Sequence, residues 1–176
     1  MHFPPVLIED AFTNEEQQAL ADVVHVEYVP FRDERNNRDL AKFKALKEFS
    51  EKLEPLARKI FNDPTLKSTY RVYIDYNDED STLNMHKDQN ACVYTIDYCV
   101  SAETDWPLIV EGEEYSFKPG QALAFMGGED LHGRNPKGAG RVENIMFHFC
   151  PEDHWWFTEG PDHIEVLKEA GKLTIY

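Results

Sequence analysis

The sequence predicts an α+β fold with a mainly β core: a double-stranded β-helix, or jelly roll, braced by N-terminal helices. Three observations carry this reading. Apolar residues recur every three or four positions from Leu40 to Ile60, the period of a helix face. From Ser68 the period shortens and β-formers dominate, as in Thr69-Tyr-Arg-Val-Tyr-Ile-Asp-Tyr76. Short strand-like runs then follow at even spacing, separated by turn residues, as far as Phe149.

Taken in order, Phe3 to Ile8 reads as an extended lead-in or short strand, stiffened by Pro4 and Pro5. Thr13-Asn-Glu-Glu16 is a capping-box pattern, so a first helix starts there, with Leu20, Val23 and Val24 as its apolar stripe. Val26 to Val29 suggests a short strand, and Pro30 to Arg38 a polar loop. Asp39 is placed to cap a second helix, which Pro55 should kink or split near Glu54 and Asn62-Asp-Pro64 should end. Beyond Tyr76, strands are expected near Asn84–Asp88, Cys92–Val100, Leu108–Glu111, Glu114–Phe117, Gln121–Met126 and Arg141–Phe149. Turns fall at Asn77–Asp80, Gly112 and Pro119-Gly120. A closing helix over Asp162–Ala170 would be capped by Asp162, with Glu165 at its third position, and ended by Gly171. The whole reads as one domain over residues 1–176: a helical brace at about 13–62, a jelly-roll core at about 68–150 and a C-terminal helix at about 162–170.

With 176 residues, 41% of them hydrophobic, the chain can bury a sizeable core. No apolar run approaches the roughly 20 residues that span a bilayer. The start shows no basic, apolar signal peptide, so the expectation is a cytoplasmic protein without a membrane partner. Cys92, Cys99 and Cys150 lack Cys-x-x-Cys spacing and read as buried free thiols. A net charge of −15 argues against nucleic acid, whose binding depends on Lys and Arg neutralising phosphates. Yet residues 32–59 hold nine of the 18 basic residues, either as a solvated helix face or as a positive rim at a site mouth.

The chemistry centres on Met85-His86-Lys87-Asp88, answered by Leu131-His132-Gly133-Arg134 and then by Arg141. Two histidines and one carboxylate suffice for a non-haem Fe(II) site with open positions. On an extended strand His86 and Asp88 point the same way and Lys87 the other. The third ligand must come from a neighbouring strand, and His132 is the candidate. His2, His25, His148, His154 and His163 lack the spacing; His148, between Phe147 and Phe149, reads as a structural histidine.

That order resembles the Fe(II)- and 2-oxoglutarate-dependent dioxygenases, especially their prolyl-hydroxylase-like branch, over about residues 70–150. The resemblance implies that His86, Asp88 and His132 hold Fe(II), leaving positions for 2-oxoglutarate and O2. It implies that Arg141, nine residues past His132, binds the far carboxylate of 2-oxoglutarate through its planar fork. Arg134 is the competing anchor, or a group that meets substrate. Within Ala91–Tyr98, Tyr98 would hydrogen-bond the cosubstrate and Ile96 would pack against its methylene chain, with Tyr73 and Tyr76 as alternatives. Trp106, Trp155 and Trp156 either wall a substrate pocket or pack structurally. The implied reaction is hydroxylation of an amino-acid, peptidyl (including prolyl) or small-molecule substrate, with release of succinate and CO2. Because the carboxylate ligand is present as Asp88, no halide incorporation is expected. The alternative is a non-catalytic jelly-roll module that binds a metal or a small ligand. A cupin-type metal isomerase or dioxygenase is a further reading, but it would cluster more histidines on one strand. The Pro30–Arg38 stretch, with Arg32, Arg35 and Arg38, is expected to cover the metal mouth and to favour a carboxylate-bearing small molecule or an acidic peptide.

Overall fold

The structure is a computed structural model and describes residues 3–26 and 28–173; His2 lies outside the described residues. In chain order its elements are β1 (Val6–Ile8), α1 (Asn14–Val26), β2 (Phe31–Asp33), β3 (Arg38–Ala41), α2 (Leu46–Ile60), β4 (Lys67–Tyr76), β5 (Leu83–His86), β6 (Tyr94–Ala102), β7 (Leu108–Val110), β8 (Glu113–Tyr115), β9 (Ala122–Phe125), β10 (His132–Arg134), β11 (Val142–Cys150), α3 (Trp155–Thr158) and α4 (Gly160–Glu169).

Seven strands form one sheet in the order β1-β9-β6-β11-β4-β3-β2, and four form a second in the order β5-β10-β7-β8. The paired strands are antiparallel. Leu83, Leu108 and Val110 of the small sheet pack against Leu123 and Phe125 of the large one, which closes the jelly roll. The other face of the large sheet is covered by helices. There Leu20 and Val24 of α1, and Leu46, Phe49, Leu53 and Ala57 of α2, pack with Tyr73, Ile96, Tyr98, Ile145 and Phe147. The central strands are therefore covered on both faces, and all nine residues of β11 are buried. Each fully buried Leu or Phe contributes about 1.5–3 kcal/mol to this arrangement.

The capping box at the start of α1 forms as its residues dictate. The Thr13 backbone N–H donates to the Glu16 carboxylate at 3.0 Å, and the Glu16 N–H donates to the Thr13 hydroxyl at 3.3 Å. Three expectations nearby are corrected. The short strand expected over Val26–Val29 is not found among the described residues: the helix runs to Val26 and residues 28–30 form no strand. Residues 31–41 form a hairpin rather than a loop. Its turn passes through Asn37 at φ 50°, a conformation that asparagine tolerates. Asp39 and Leu40 thus belong to β3, and the helix begins at Leu46 without a side-chain cap. Asp39 instead accepts from Asn77 at 2.7 Å.

Pro55 lies inside a continuous α2. It sits on the solvent side, in line with exposed Glu51, so the carbonyl it leaves unpaired can be hydrated. At the C-terminus α4 starts at Gly160, with Asp162 in its first turn rather than at its cap. Gly171, at φ 67°, ends it as expected. Cys92, Cys99 and Cys150 are buried free thiols. Among the described residues no helix is long and apolar enough to cross a membrane.

Candidate metal centre

β5 and β10 are neighbours in the small sheet, and their register sets His86 directly opposite His132. The two rings lie 4.4 Å apart, centroid to centroid. Such close pairing needs a residue without a side chain beside it: a Cβ on Gly133 would lie 2.5 Å from the Leu83 carbonyl oxygen. β5 ends at His86, so Asp88 does not share a face with it through strand alternation. Asp88 is held instead by its own N–H, which donates to the Gly127 carbonyl at 2.8 Å.

The result is a convergent triad. Asp88 Oδ1 stands 3.4 Å from His86 Nε2 and 3.6 Å from His132 Nε2. One ligand atom from each residue falls within 4.8 Å of the others, a spacing that suits a single metal ion. The rings are oriented from behind: His86 Nδ1 meets the Asn84 carbonyl at 2.7 Å and His132 Nδ1 meets the Asp130 carbonyl at 2.9 Å. A carbonyl only accepts, so each Nδ1 carries the proton and each Nε2 turns toward Asp88. Burial opposes ionisation of Asp88, but hydrogen bonds from His132 and His86 outweigh it and hold the carboxyl well below the usual range. Burial lowers the His132 pKa, yet the hydrogen bond and charge of Asp88 raise it overall. A metal cation would replace the proton shared among these groups.

The triad opens on a cavity of about 440 Å³. Leu40, Tyr70, Val72, Ile74 and Met146 line its wall from the large sheet. Arg35 and Arg38 of the β2–β3 hairpin, with Lys87, contribute its cationic groups. Arg38 is held by Asp33 at 2.9 Å and by the Tyr76 hydroxyl at 3.0 Å. The side chain of Arg35 makes no ion pair among the described residues. Arg32 turns elsewhere, toward Asp39 and Asp78.

Three residues expected to meet the cosubstrate lie away from the cavity. Arg141 points to the helix-covered face, where it donates twice to Asp75 at 2.8 Å and lies 3.3 Å from Glu143. The odd-numbered residues of β11 face that side, as Ile145, Phe147 and Phe149 show, whereas Met146 and His148 face the cavity. Tyr98 and Ile96 share the helix-covered core for the same reason of parity. On β6 it is Thr95 that reaches the cavity. Tyr73 is in the helix-side core, its hydroxyl donating to Glu143. Tyr76 holds Arg38.

Arg134, the competing anchor, is buried and already committed. It donates to Asp97 at 2.9 Å and to the Trp106 carbonyl at 2.6 Å, with its guanidinium 4.8 Å from the Trp106 ring centre. Trp155 and Trp156 pack in the cluster beside α4.

Sequence reasoning assigned no role to Thr95 or Gly127 and read His148 only as a structural histidine. The Thr95 hydroxyl donates to Asp88 Oδ2 at 2.9 Å and lies 3.0 Å from His148 Nδ1. His148 stacks on Tyr70, and burial pushes its pKa down to about 4. The usable signal was the polar interruption of two apolar strands, Thr95 beside Ile96 and His148 between two phenylalanines.

No family model and no curated protein matches the sequence. Solved structures do match. HygX from Streptomyces hygroscopicus, with nickel, 2-oxoglutarate and hygromycin B bound, superposes with a TM-score of 0.69 at 12% identity, over 86% of this chain and 84% of that one. A Pseudomonas putida prolyl-4-hydroxylase gives 0.67 at 13% identity, over 86% and 94%. EctD from S. alaskensis, with 2-oxoglutarate and 5-hydroxyectoine, gives 0.68 at 12% identity, over 89% and 79%. The chain therefore has the jelly-roll fold of the 2-oxoglutarate- and Fe(II)-dependent oxygenases.

Proposed function

We propose that the protein is an Fe(II)- and 2-oxoglutarate-dependent oxygenase that hydroxylates an amino-acid, peptidyl or small-molecule substrate. The observation that carries this reading is the convergence of His86, Asp88 and His132 at a cavity inside a jelly roll. Bound iron with 2-oxoglutarate and O2 supplies the oxidising chemistry, releasing succinate and CO2 as the substrate gains a hydroxyl group. The chain's own residues do the rest. Asp88 offsets part of the metal's charge, and the two neutral imidazoles leave further positions free. Leu40, Val72, Ile74 and Met146 keep water from the reacting centre. With Arg141 turned to the helix-covered face, and Arg134 and Arg38 each paired with a carboxylate of the chain, Arg35 is the cavity arginine that would receive a carboxylate of cosubstrate or substrate. Retention of Asp88 directs the reaction to oxygenation rather than halogenation.

One observation favours a second reading, a non-catalytic metal-binding module. Both arginines near the second histidine are already bound to carboxylates of the chain itself. Exposing the Fe(II)-loaded protein to O2 and 2-oxoglutarate, with panels of free amino acids, prolyl peptides and small carboxylates, separates the two. Succinate that requires both Fe(II) and 2-oxoglutarate supports the oxygenase. Stoichiometric iron binding without succinate supports the module.

A further inference from the structure

We infer that Thr95 and His148 form a hydrogen-bonded relay that presents Asp88 to the metal through one carboxylate oxygen. The inference rests on the metal-centre reading above. The two oxygens of Asp88 have different neighbours. Oδ1 faces both histidine Nε2 atoms, at 3.4 and 3.6 Å. Oδ2 accepts from the Thr95 hydroxyl at 2.9 Å. A hydroxyl has one proton to give, and an ionised carboxylate can only accept. The Thr95 proton therefore goes to Asp88. His148 Nδ1, 3.0 Å from the same hydroxyl oxygen, must then be the donor to it. The chain runs from His148 Nδ1–H to Thr95 Oγ1–H to Asp88 Oδ2, and each bond polarises the next.

The surroundings hold this arrangement in place. Tyr70 stacks on the His148 ring at 5.6 Å with the planes 3° apart. His148 is only 5% exposed. A Cβ at Gly127 would lie 2.2 Å from Asp88 Oδ2 and 2.3 Å from Thr95 Oγ1, so glycine leaves the space that this contact occupies. With Oδ2 engaged, a swing of the carboxylate to offer both oxygens would break the Thr95 bond. The relay would thus leave only Oδ1 of Asp88 to face a metal held by the two histidines. Thr95 and His148 are positioning residues that act through Asp88.

Co(II) serves as the probe, because its visible spectrum reports the ligand set without 2-oxoglutarate or O2. Thr95→Val keeps the shape and removes the donor; Thr95→Ser keeps the donor. His148→Leu removes the Nδ1–H; His148→Asn puts an amide N–H near its place. The relay predicts Co(II) binding weakened by about 10–100-fold in Thr95→Val and His148→Leu, the usual cost of losing a hydrogen bond behind a ligand. Their spectra should also change, and Thr95→Ser and His148→Asn should restore affinity and spectrum. Wild-type affinity and spectrum in Thr95→Val would overturn the relay. So would equal losses in both members of each pair, which would mean that packing alone matters. If Thr95→Val does not fold, the His148 pair decides by the same criteria. A wild-type protein that binds no Co(II), or a His132→Ala protein that binds it equally well, sinks the metal-centre reading itself, and the relay with it.

Discussion

Replacing Gly127 by alanine isolates the geometry of the carboxylate ligand. Gly127 is not among the glycines with positive φ, so an alanine backbone is tolerated there and the cost is steric. The new methyl group would lie 2.2 Å from Asp88 Oδ2. To regain an ordinary contact of 3.4 Å the carboxylate must retreat by more than an ångström. Disturbing what holds a metal ligand in place typically costs about 10–100-fold in metal affinity. A metal present at 100 times its wild-type Kd stabilises the fold by about 2.7 kcal/mol. With Kd raised about 100-fold, that gain shrinks to about 0.4 kcal/mol by the same relation. Overpacking itself should lower the metal-free stability by about 1–3 kcal/mol. Thermal melts with and without Fe(II) under anaerobic conditions measure both quantities. A Gly127→Ala protein with the full metal-dependent gain would refute the placement of Asp88 as a ligand.

Asp97 is fully buried and holds Arg134, so Asp97→Ala should cost on the order of 3–5 kcal/mol by stranding the guanidinium; urea denaturation showing a loss below about 1 kcal/mol would contradict this. Arg141→Ala should cost less, about 1–3 kcal/mol, because Arg141 is itself 43% exposed and Asp75 keeps the Tyr28 hydroxyl. Its metal affinity should match the wild type; a weakened metal site in a calorimetric titration would place Arg141 in the centre after all. The His132 pKa is raised above its ordinary 6.5, so protonation stabilises the metal-free fold at low pH, and that stability is lost as pH rises through the raised value. Metal competes with this proton. The Fe(II)-dependent gain in Tm should therefore grow as pH rises from 6 to 8; a gain that falls over that range would reverse the assignment.

The His-x-Asp and distant His were legible because ligand chemistry restricts residue type and spacing, and neither depends on knowing a strand's exact end. The jelly roll was legible because β-formers between turns announce short strands wherever they pair. The face of each strand was not legible. β6 and β11 are buried on both sides, so apolar residues occupy both parities and alternation carries no sign. Tyr98, Ile96 and Arg141 were placed toward the cosubstrate by the spacing of the family they resemble, and alternation offered no check on that placement; Thr95 and His148 are the residues that line the cavity. The hairpin of β2 and β3 was hidden by its polar residues. Asp33, Arg38 and Asn36 satisfy one another inside the hairpin, where a sequence shows only charge. The same hairpin carries Arg35 and Arg38 to the cavity, close to what the arginine-rich stretch suggested, whereas Arg32 pairs with acidic residues outside it.

The central claim is that His86, Asp88 and His132 hold one metal ion on which 2-oxoglutarate assembles. Anaerobic equilibrium binding of 2-oxoglutarate, with and without Fe(II), tests it most directly. The account predicts saturable binding of one 2-oxoglutarate per chain that requires Fe(II) and is lost in His132→Ala. Equal binding without metal, or in His132→Ala, would contradict it.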